Sequence, residues 1–390
     1  MERPDLSLAN ATQSETFPGR SWTGKPGATQ LRSREADVGD MTAPRLIIPG
    51  SSYVVARRCT QRRFYFTPSP ELAQDFKYVI GCAAQAFDIE IHALVFMSNH
   101  YHLWLTDPAG LLPRFMHTLN RNLAHVVKAH HPDIEGEVFD TQPYNALMVL
   151  SNEAATAELA YLLLNPVKAD LVENHAQWPG LITTGEMLKH ALTHGSLEET
   201  VQRPGWGLRT LPETATFRIT PYKPHALRGP EYQAKATQAT RAILEGALEE
   251  VKASESALRE ERDRGGRQVL GLARLARQSY RDRPKRRTPA DDHCLPSATA
   301  SAPALAPSRF DTFRRITPAL VARCVETMKT AAKALREWRS TYRQARAELK
   351  RKLKDVRMPA GTWWLKEQRL APCEPIAEGA DPVALFLRLA

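Results

Sequence analysis

The stretch MSNHYHLWL, Met97 to Leu105, places two histidines one residue apart within an apolar run. Successive side chains of a β-strand point to opposite faces, so His100 and His102 share one face of a predicted strand. The opposite face of the strand carries Tyr101, Leu103 and Leu105 and is the natural core face. The two imidazoles therefore project together. Either they find hydrogen bonds in a core, or they hold a divalent cation that needs further ligands.

The sequence around this strand alternates between strand and helix patterns from residue 45 to about residue 180. Strands are predicted for YVVARR (53–58), RRFYF (62–66), IEIHALVFM (89–97), HYHLWLT (100–106) and NALMVL (145–150), with a turn at Ser98-Asn99. Helices are predicted for residues 69–87, 111–131 and 151–166, the last one stopping or bending near Pro166. This order predicts an α+β domain, with helices packed on a mainly antiparallel sheet.

Composition divides the remaining chain into segments of different character. The predicted segments are a disordered N-terminal extension (1–43), the α+β domain (44–185), a helical extension (186–282), a linker (283–308) and a basic long-helix region (309–390). We expect the long helix to begin at Thr317-Pro318, which resembles an N-cap followed by a proline in the first turn.

Charge and cysteine content limit the class of protein. The net charge is +10, and residues 318–357 contain 12 basic and 4 acidic residues, a net charge of +8 in one segment. Such a segment favours a polyanionic partner. The five cysteines form no C-x-x-C pair, which fits a reducing, cytoplasmic location. The sequence has no apolar run long enough to predict a membrane span, and no secretory signal is expected.

A second polar pair lies in AELAYLLLNPVKADLV, residues 157–172. Tyr161 and Asn165 are four residues apart on a predicted helix and therefore share one face. Taken alone, the pair is as well explained by a half-buried tyrosine and an asparagine that ends the helix.

MSNHYHLWL and YLLLNPVKADLV, about sixty residues apart, together resemble the REP-associated tyrosine transposases. These enzymes belong to the single-tyrosine HUH superfamily and have an IS200-like transposase domain. The resemblance covers residues 41–180 and includes FMHTLNRNLA, DTQPYNALMV and HAQWPG. It implies a ferredoxin-like, RRM-like antiparallel sheet that carries the histidine pair on a central strand. It also implies that His100, His102 and Asn165 bind a metal ion and that Tyr161 is the catalytic nucleophile.

The chemistry implied by the resemblance is cutting and rejoining of DNA. A phenol, with a pKa of about 10, attacks a phosphate slowly unless a cation neutralises the developing charge. With Mg²⁺ or Mn²⁺ as the cofactor, the expected intermediate is a covalent 5′-phosphotyrosine, and the expected partner is single-stranded or hairpin DNA. Basic side chains can hold the strand or be solvated surface charges. The candidates for strand binding are Arg57, Arg58, Arg114, Arg121 and Lys168.

Alternatives remain open from the sequence. The chain can be a catalytically inactive, domesticated DNA-binding protein of the same fold, or a metal-dependent hydrolase that uses the histidines with an Asp or Glu. Two residues depart from the family pattern: Tyr101 replaces an aliphatic residue between the histidines, and Asp170 occupies a glycine position. A homodimer and a monomer are equally compatible with the sequence.

Overall fold

A computed structural model describes residues 45–224, 232–266, 269, 320–321, 324–351, 356–362, 372–376 and 381–388. The predicted disordered extension and the predicted linker lie outside these residues. All of the described residues belong to one unit, Pro44–Ala390. The boundaries of the five predicted segments stay predictions.

Four antiparallel strands form the main sheet. They are β1 (Ser51–Arg58), β2 (Glu90–Met97), β3 (His100–Asp107) and β4 (Asn145–Val149). Helix α1 (Pro70–Phe87) connects β1 to β2, and helix α2 (Leu112–His130) connects β3 to β4. The strands lie in the order β2-β3-β1-β4. A βαββαβ chain with this strand order is the ferredoxin-like fold, and the predicted α+β class is confirmed.

Strand β3 lies in the middle of this sheet and carries both histidines. In the strand register, His102 pairs with Ala56 of β1 and Val95 of β2. His100, at the end of the strand, pairs with Arg58 and Met97. The tight turn Ser98-Asn99 joins β2 to β3, as predicted. The pair therefore lies on a central strand, flanked on both sides by hydrogen-bonded neighbours.

The sheet face that carries Tyr101 packs against α1 and α2. Tyr101 is fully buried, and its hydroxyl donates to Oδ1 of Asn120 on α2 at 2.7 Å. Asn120 in turn donates to the carbonyl of Met116. The ring also stacks on Phe96, with centroids 5.0 Å apart. Tyr101 is larger than the aliphatic residue that the resembled family has at this position, and its side chain has a polar partner and an aromatic neighbour in the core.

The opposite face carries the histidines and is covered by helix α3 (Asn152–Lys168). Ser151 caps its first turn, with Oγ accepting from the backbone N–H of Ala154 at 3.2 Å. The sequence predicted that this helix stops or bends near Pro166, and the helix ends two residues later, at Lys168, with Pro166 in its last turn. A proline leaves one helical carbonyl without its donor. Here Nδ2 of Asn165 lies 3.4 Å from the Leu162 carbonyl and supplies that donor.

Asp170 ends α3 in the left-handed conformation, with φ of 53°. Its N–H bonds to Val167, and the N–H of Leu171 bonds to Pro166, which is the Schellman arrangement. Glycine is the usual residue at this position because it has no Cβ. Arg262, whose side chain is nearly completely buried, lies 3.5 Å from the Asp170 carboxylate. Asp170, where the resembled family has glycine, therefore has an ionic partner in Arg262.

The prediction of a strand at residues 62–66 is wrong. Gln61 and Arg62 have φ of 51° and 54°, which breaks an extended run directly before the aromatic residues. Phe66 packs against Phe76 and Phe96, and its N–H bonds to the carbonyl of Ser98. This segment wraps around the β2–β3 turn instead of joining the sheet.

The remaining described elements follow α3. They are α4 (Gly185–His194), β5 (Leu197–Gln202), β6 (Thr214–Ile219), α5 (Gln233–Arg264), β7 (Leu320–Val321), α6 (Val325–Lys350) and α7 (Pro382–Arg388). Strands β5 and β6 form a separate hairpin, and α5 packs along α3. The long basic helix exists, but the prediction of its start was wrong, because it begins at Val325 after a short strand.

Two segments lie along the outer strands of the main sheet. On one side, residues after α3 run beside β2, where the Phe96 N–H bonds to Leu181 at 2.8 Å and the Thr183 N–H to Leu94 at 2.9 Å. On the other side, β7 pairs in parallel with Met148 and Val149 of β4. No helix in the described ranges is long and apolar enough to cross a membrane.

Replacing Asp170 should separate its backbone role from its ionic role. Asp170→Gly and Asp170→Ala both remove the partner of Arg262, but only alanine retains a Cβ in the left-handed region. We expect the alanine variant to have a free energy of unfolding about 1 kcal/mol lower than the glycine variant. Urea unfolding followed by circular dichroism measures this, and equal stabilities would contradict the assigned conformation.

Candidate active site

Strand β3 and helix α3 bring together the four side chains singled out in the sequence. The rings of His100 and His102 have centroids 5.1 Å apart. The ring of Tyr161 meets His102 edge to face, with centroids 5.8 Å apart. Asn165, one turn further along α3, lies beside His100 and favours the protonated form of its ring. Two strand residues and two helix residues thus converge at one end of the sheet.

The amide of Asn165 has a defined orientation. Its Nδ2 donates to the carbonyl of Tyr161 at 2.9 Å and lies 3.4 Å from that of Leu162. Because the nitrogen is committed to the helix backbone, the oxygen is the amide atom left for His100. Asn165 therefore presents an acceptor, not a donor, to the imidazole.

The electrostatics favour a neutral His100. Burial lowers its pKa to about 4, the Arg58 guanidinium acts in the same direction, and the hydrogen bond with Asn165 opposes the shift. At neutral pH the ring then has one N–H and one lone pair. A neutral imidazole is the form that binds a metal ion.

The donor set at this point is two imidazoles and one amide oxygen. It fits a divalent ion that accepts both nitrogen and oxygen, and it suits Mn²⁺ better than Mg²⁺, which prefers oxygen ligands. Among the described residues, no group of three or more His, Cys, Asp or Glu side chains is arranged to hold a metal. The part of the chain that the structure describes thus gives no support to a hydrolase that joins a carboxylate to the histidine pair.

A neighbouring histidine shows the contrasting, structural arrangement. His92 is buried on β2, with Nδ1 2.9 Å from the Thr220 carbonyl and Nε2 2.8 Å from Oγ1 of Thr106. Thr106 also meets the hydroxyl of Ser52 at 2.6 Å. Both ring nitrogens of His92 therefore have protein partners, and this histidine serves the core.

Comparison with known families adds to this geometry. Residues 50–158 match the family model described as IS200-like transposase. This part of the chain is therefore similar to IS200-like transposases. The matched part includes the histidine pair and ends three residues before Tyr161. The contacts between α3 and β3 are what connect Tyr161 and Asn165 to the matched region.

Solved structures with similar folds include three proteins of low sequence identity. A REP-associated tyrosine transposase bound to a REP hairpin is 16% identical (TM-score 0.31; 35% of this chain and 78% of that chain). A protein named as a transposase from Deinococcus radiodurans R1 is 20% identical (TM-score 0.24; 30% and 93%). A bacterial tRNA(His) guanylyltransferase (Thg1)-like protein in complex with GTP is 11% identical (TM-score 0.30; 51% and 93%). At these scores the likenesses carry no argument for function.

No sequence among the curated proteins matches this chain.

The five basic residues considered for DNA binding lie on different sides of the main sheet. Arg58 is exposed beside His100, and the ammonium of Lys168 lies 5.1 Å from the centre of the Tyr161 ring. Arg57 shares the opposite face with Tyr101, where its guanidinium donates to the Asp140 carbonyl at 3.0 Å. Arg114 and Arg121 are exposed on α2, behind the sheet. Only Arg58 and Lys168 are brought to the candidate site.

One residue at this site was missed by sequence reasoning. Asn99, in the turn before β3, has its Oδ1 2.7 Å from Nδ1 of His100. The turn itself was predicted, and the position of Asn99 directly before the histidine was the available signal. Tyr144, another tyrosine of the domain, is partly buried and lies under Arg45, with the guanidinium 3.9 Å from its ring centre.

Removal of the Tyr161 hydroxyl should leave the fold intact. The Tyr161 side chain is only partly buried, and phenylalanine retains the ring that meets His102 and Lys168. We expect Tyr161→Phe to change the free energy of unfolding by less than about 1 kcal/mol. Thermal unfolding followed by circular dichroism measures the change. A larger loss would mean that the hydroxyl has a structural role.

Proposed function

We propose that this protein is a DNA strand transferase of the REP-associated tyrosine transposase type, with Tyr161 as the nucleophile. The observation that carries the proposal is the convergence of α3 with β3, where Tyr161 contacts His102 and Asn165 contacts His100. A tyrosine beside a cation site is the arrangement that attack on a phosphodiester requires.

His100, His102 and Asn165 would hold the Mn²⁺ or Mg²⁺ ion in this proposal. When bound, the ion would polarise the scissile phosphate and offset the charge that develops on its oxygens. Asn165 supports the proposal because its amide nitrogen is tied to the α3 backbone, which turns its oxygen toward the imidazole. The nucleophile and one ligand then move as one rigid helical turn.

The proposed reaction exchanges one phosphodiester for another. The phenol oxygen of Tyr161 forms a bond to phosphorus, the bond from phosphorus to the 3′ oxygen breaks, and the 3′ oxygen takes up a proton. The phenol proton leaves to solvent. The product is a 5′-phosphotyrosine and a free 3′-OH, and attack by a 3′-OH on this intermediate reverses the step without an energy source.

The charges at the site suit a DNA strand. Arg58 pairs with His100 between β1 and β3, the ammonium of Lys168 lies over the Tyr161 ring, and both side chains are exposed. A phosphate that approaches the Tyr161 hydroxyl would lie near both cations. The proposed partner is single-stranded DNA or the single strand beside a hairpin, because the phosphate of a free strand can reach a phenol on the surface of a helix.

Covalent capture tests the nucleophile. Incubating the full chain with hairpin oligonucleotides that have single-stranded flanks, plus Mn²⁺ or Mg²⁺, should give a protein–DNA adduct that survives denaturation. Tyr161→Phe should abolish the adduct, and the matched variant Tyr144→Phe should retain it. An adduct that persists in Tyr161→Phe would refute the assignment of the nucleophile. Hairpin binding without an adduct under either ion would instead indicate a catalytically inactive DNA-binding protein.

Salt dependence tests the two cations. Arg58→Gln and Lys168→Gln should each weaken binding of single-stranded DNA and reduce the slope of log K against log salt by about 0.7. The same change at Arg121, behind the sheet, should leave the slope unchanged. Fluorescence anisotropy at several salt concentrations measures the slopes. A reduction at Arg121 and none at Arg58 would place the strand on the other face.

A further inference from the structure

The turn between β2 and β3 holds an amide that is fixed from two sides. Nδ2 of Asn99 lies 3.3 Å from the carbonyl of Arg62, and Oδ1 lies 2.7 Å from Nδ1 of His100. A carbonyl can only accept, so the Asn99 nitrogen must face Arg62 and the oxygen must face the ring. The histidine nitrogen that meets this oxygen therefore has to be the one that donates.

This contact determines where the single proton of a neutral His100 lies. A histidine that binds a metal ion is neutral, so its ring has a single N–H. With that proton on Nδ1, the lone pair is on Nε2. The tautomer of a metal-binding histidine is generally set by the hydrogen bond of its other nitrogen.

The second amide at the site completes the pattern. The Asn165 side chain lies beside the same ring, and its nitrogen is already committed to the carbonyl of Tyr161. Because Nδ1 is engaged by Asn99, we infer that Nε2 is the nitrogen on the Asn165 side. A lone pair and an amide oxygen that face each other attract a cation between them.

We propose that Asn99 is a positioning residue, whose amide oxygen holds the Nδ1–H tautomer of His100 and so presents Nε2 to the metal ion. The inference rests on the proposed function, because it assumes that His100 is a ligand. It assigns to Asn99 a role that neither the histidine pair nor the helical pair includes.

The anchoring of Asn99 explains why the amide keeps this direction. The Asn99 carbonyl accepts from the N–H of Cys59 at 2.8 Å, and the preceding Ser98 carbonyl accepts from Phe66 at 2.9 Å. With the bond to the Arg62 carbonyl, the turn is tied at three points to residues 59–66. The left-handed conformation of Arg62 is what turns this segment around the β2–β3 turn. The segment whose strand prediction failed is therefore the support of the amide.

The test compares Asn99→Asp, which keeps an acceptor oxygen, with Asn99→Ala, which removes it. Long-range ¹H–¹⁵N correlation spectra of ¹⁵N-histidine-labelled, metal-free protein report the tautomer, and the resonances missing in His100→Gln assign the ring. We expect the Nδ1–H form in the wild type and in Asn99→Asp, and a shift toward the Nε2–H form in Asn99→Ala. The signals of His92 serve as an internal control for the fold.

Metal affinity is measured on the same proteins by the electron paramagnetic resonance signal of free Mn²⁺. Asn99→Ala should bind Mn²⁺ about 10-fold more weakly than the wild type, and Asn99→Asp should bind at least as tightly as the wild type. An unchanged tautomer in Asn99→Ala, or Mn²⁺ binding within twofold of the wild type, would overturn the positioning role alone. Mn²⁺ binding that His102→Gln and Asn165→Leu leave unchanged would instead overturn the metal centre, and the positioning role with it.

Discussion

The structure depends on the alternation of side chains along β3, a central strand that is covered on both faces. Tyr101 and the apolar residues that follow it at every second position pack under α1 and α2, which forces His100 and His102 toward α3. A slip of one residue in the pairing of β3 would exchange the two sets and bury both imidazoles among apolar helices. The hydrogen bond from Tyr101 to Asn120 and the tight β2–β3 turn oppose such a slip. The same register that completes the core therefore places the histidines.

The end of helix α3 shows how one side chain can serve both backbone and site. Pro166 removes a helical donor, and the amide nitrogen of Asn165 replaces it at the Leu162 carbonyl. Because the nitrogen is used in this way, the oxygen of the same amide is turned toward His100. One rotamer of Asn165 thus has two results. It lets the helix continue through Pro166, and it orients the amide oxygen of the candidate ligand. A helix that stopped at the proline would not hold Asn165 in this position.

Much of the fold could be predicted from the sequence because it follows local periodicity, whereas the convergence of the two polar pairs was implied by the resemblance to the transposases. A period of two places the histidines together, and a period of about 3.6 places Tyr161 beside Asn165. The failures come from information that periodicity lacks. The aromatic residues near Phe66 favour a strand, but the positive φ of Arg62 prevents it. Neighbouring arginines of β1 separate to opposite faces, and only the register with β3 shows that Arg58, not Arg57, lies beside His100. The pairing of Leu320 with β4 joins residues more than 150 positions apart, which no local pattern reveals.

The segments that run beside β2 and β4 have a practical consequence for anyone who trims this protein. Outer strands with unsatisfied backbone groups act as templates on which other chains assemble. A fragment cut soon after α3, near the end of the family match, would lose Leu320 and Val321 and leave the outer edge of β4 free to pair with a strand of another chain. We therefore expect such a fragment to self-associate and precipitate. In a chain that retains β7, this edge of β4 is already hydrogen-bonded.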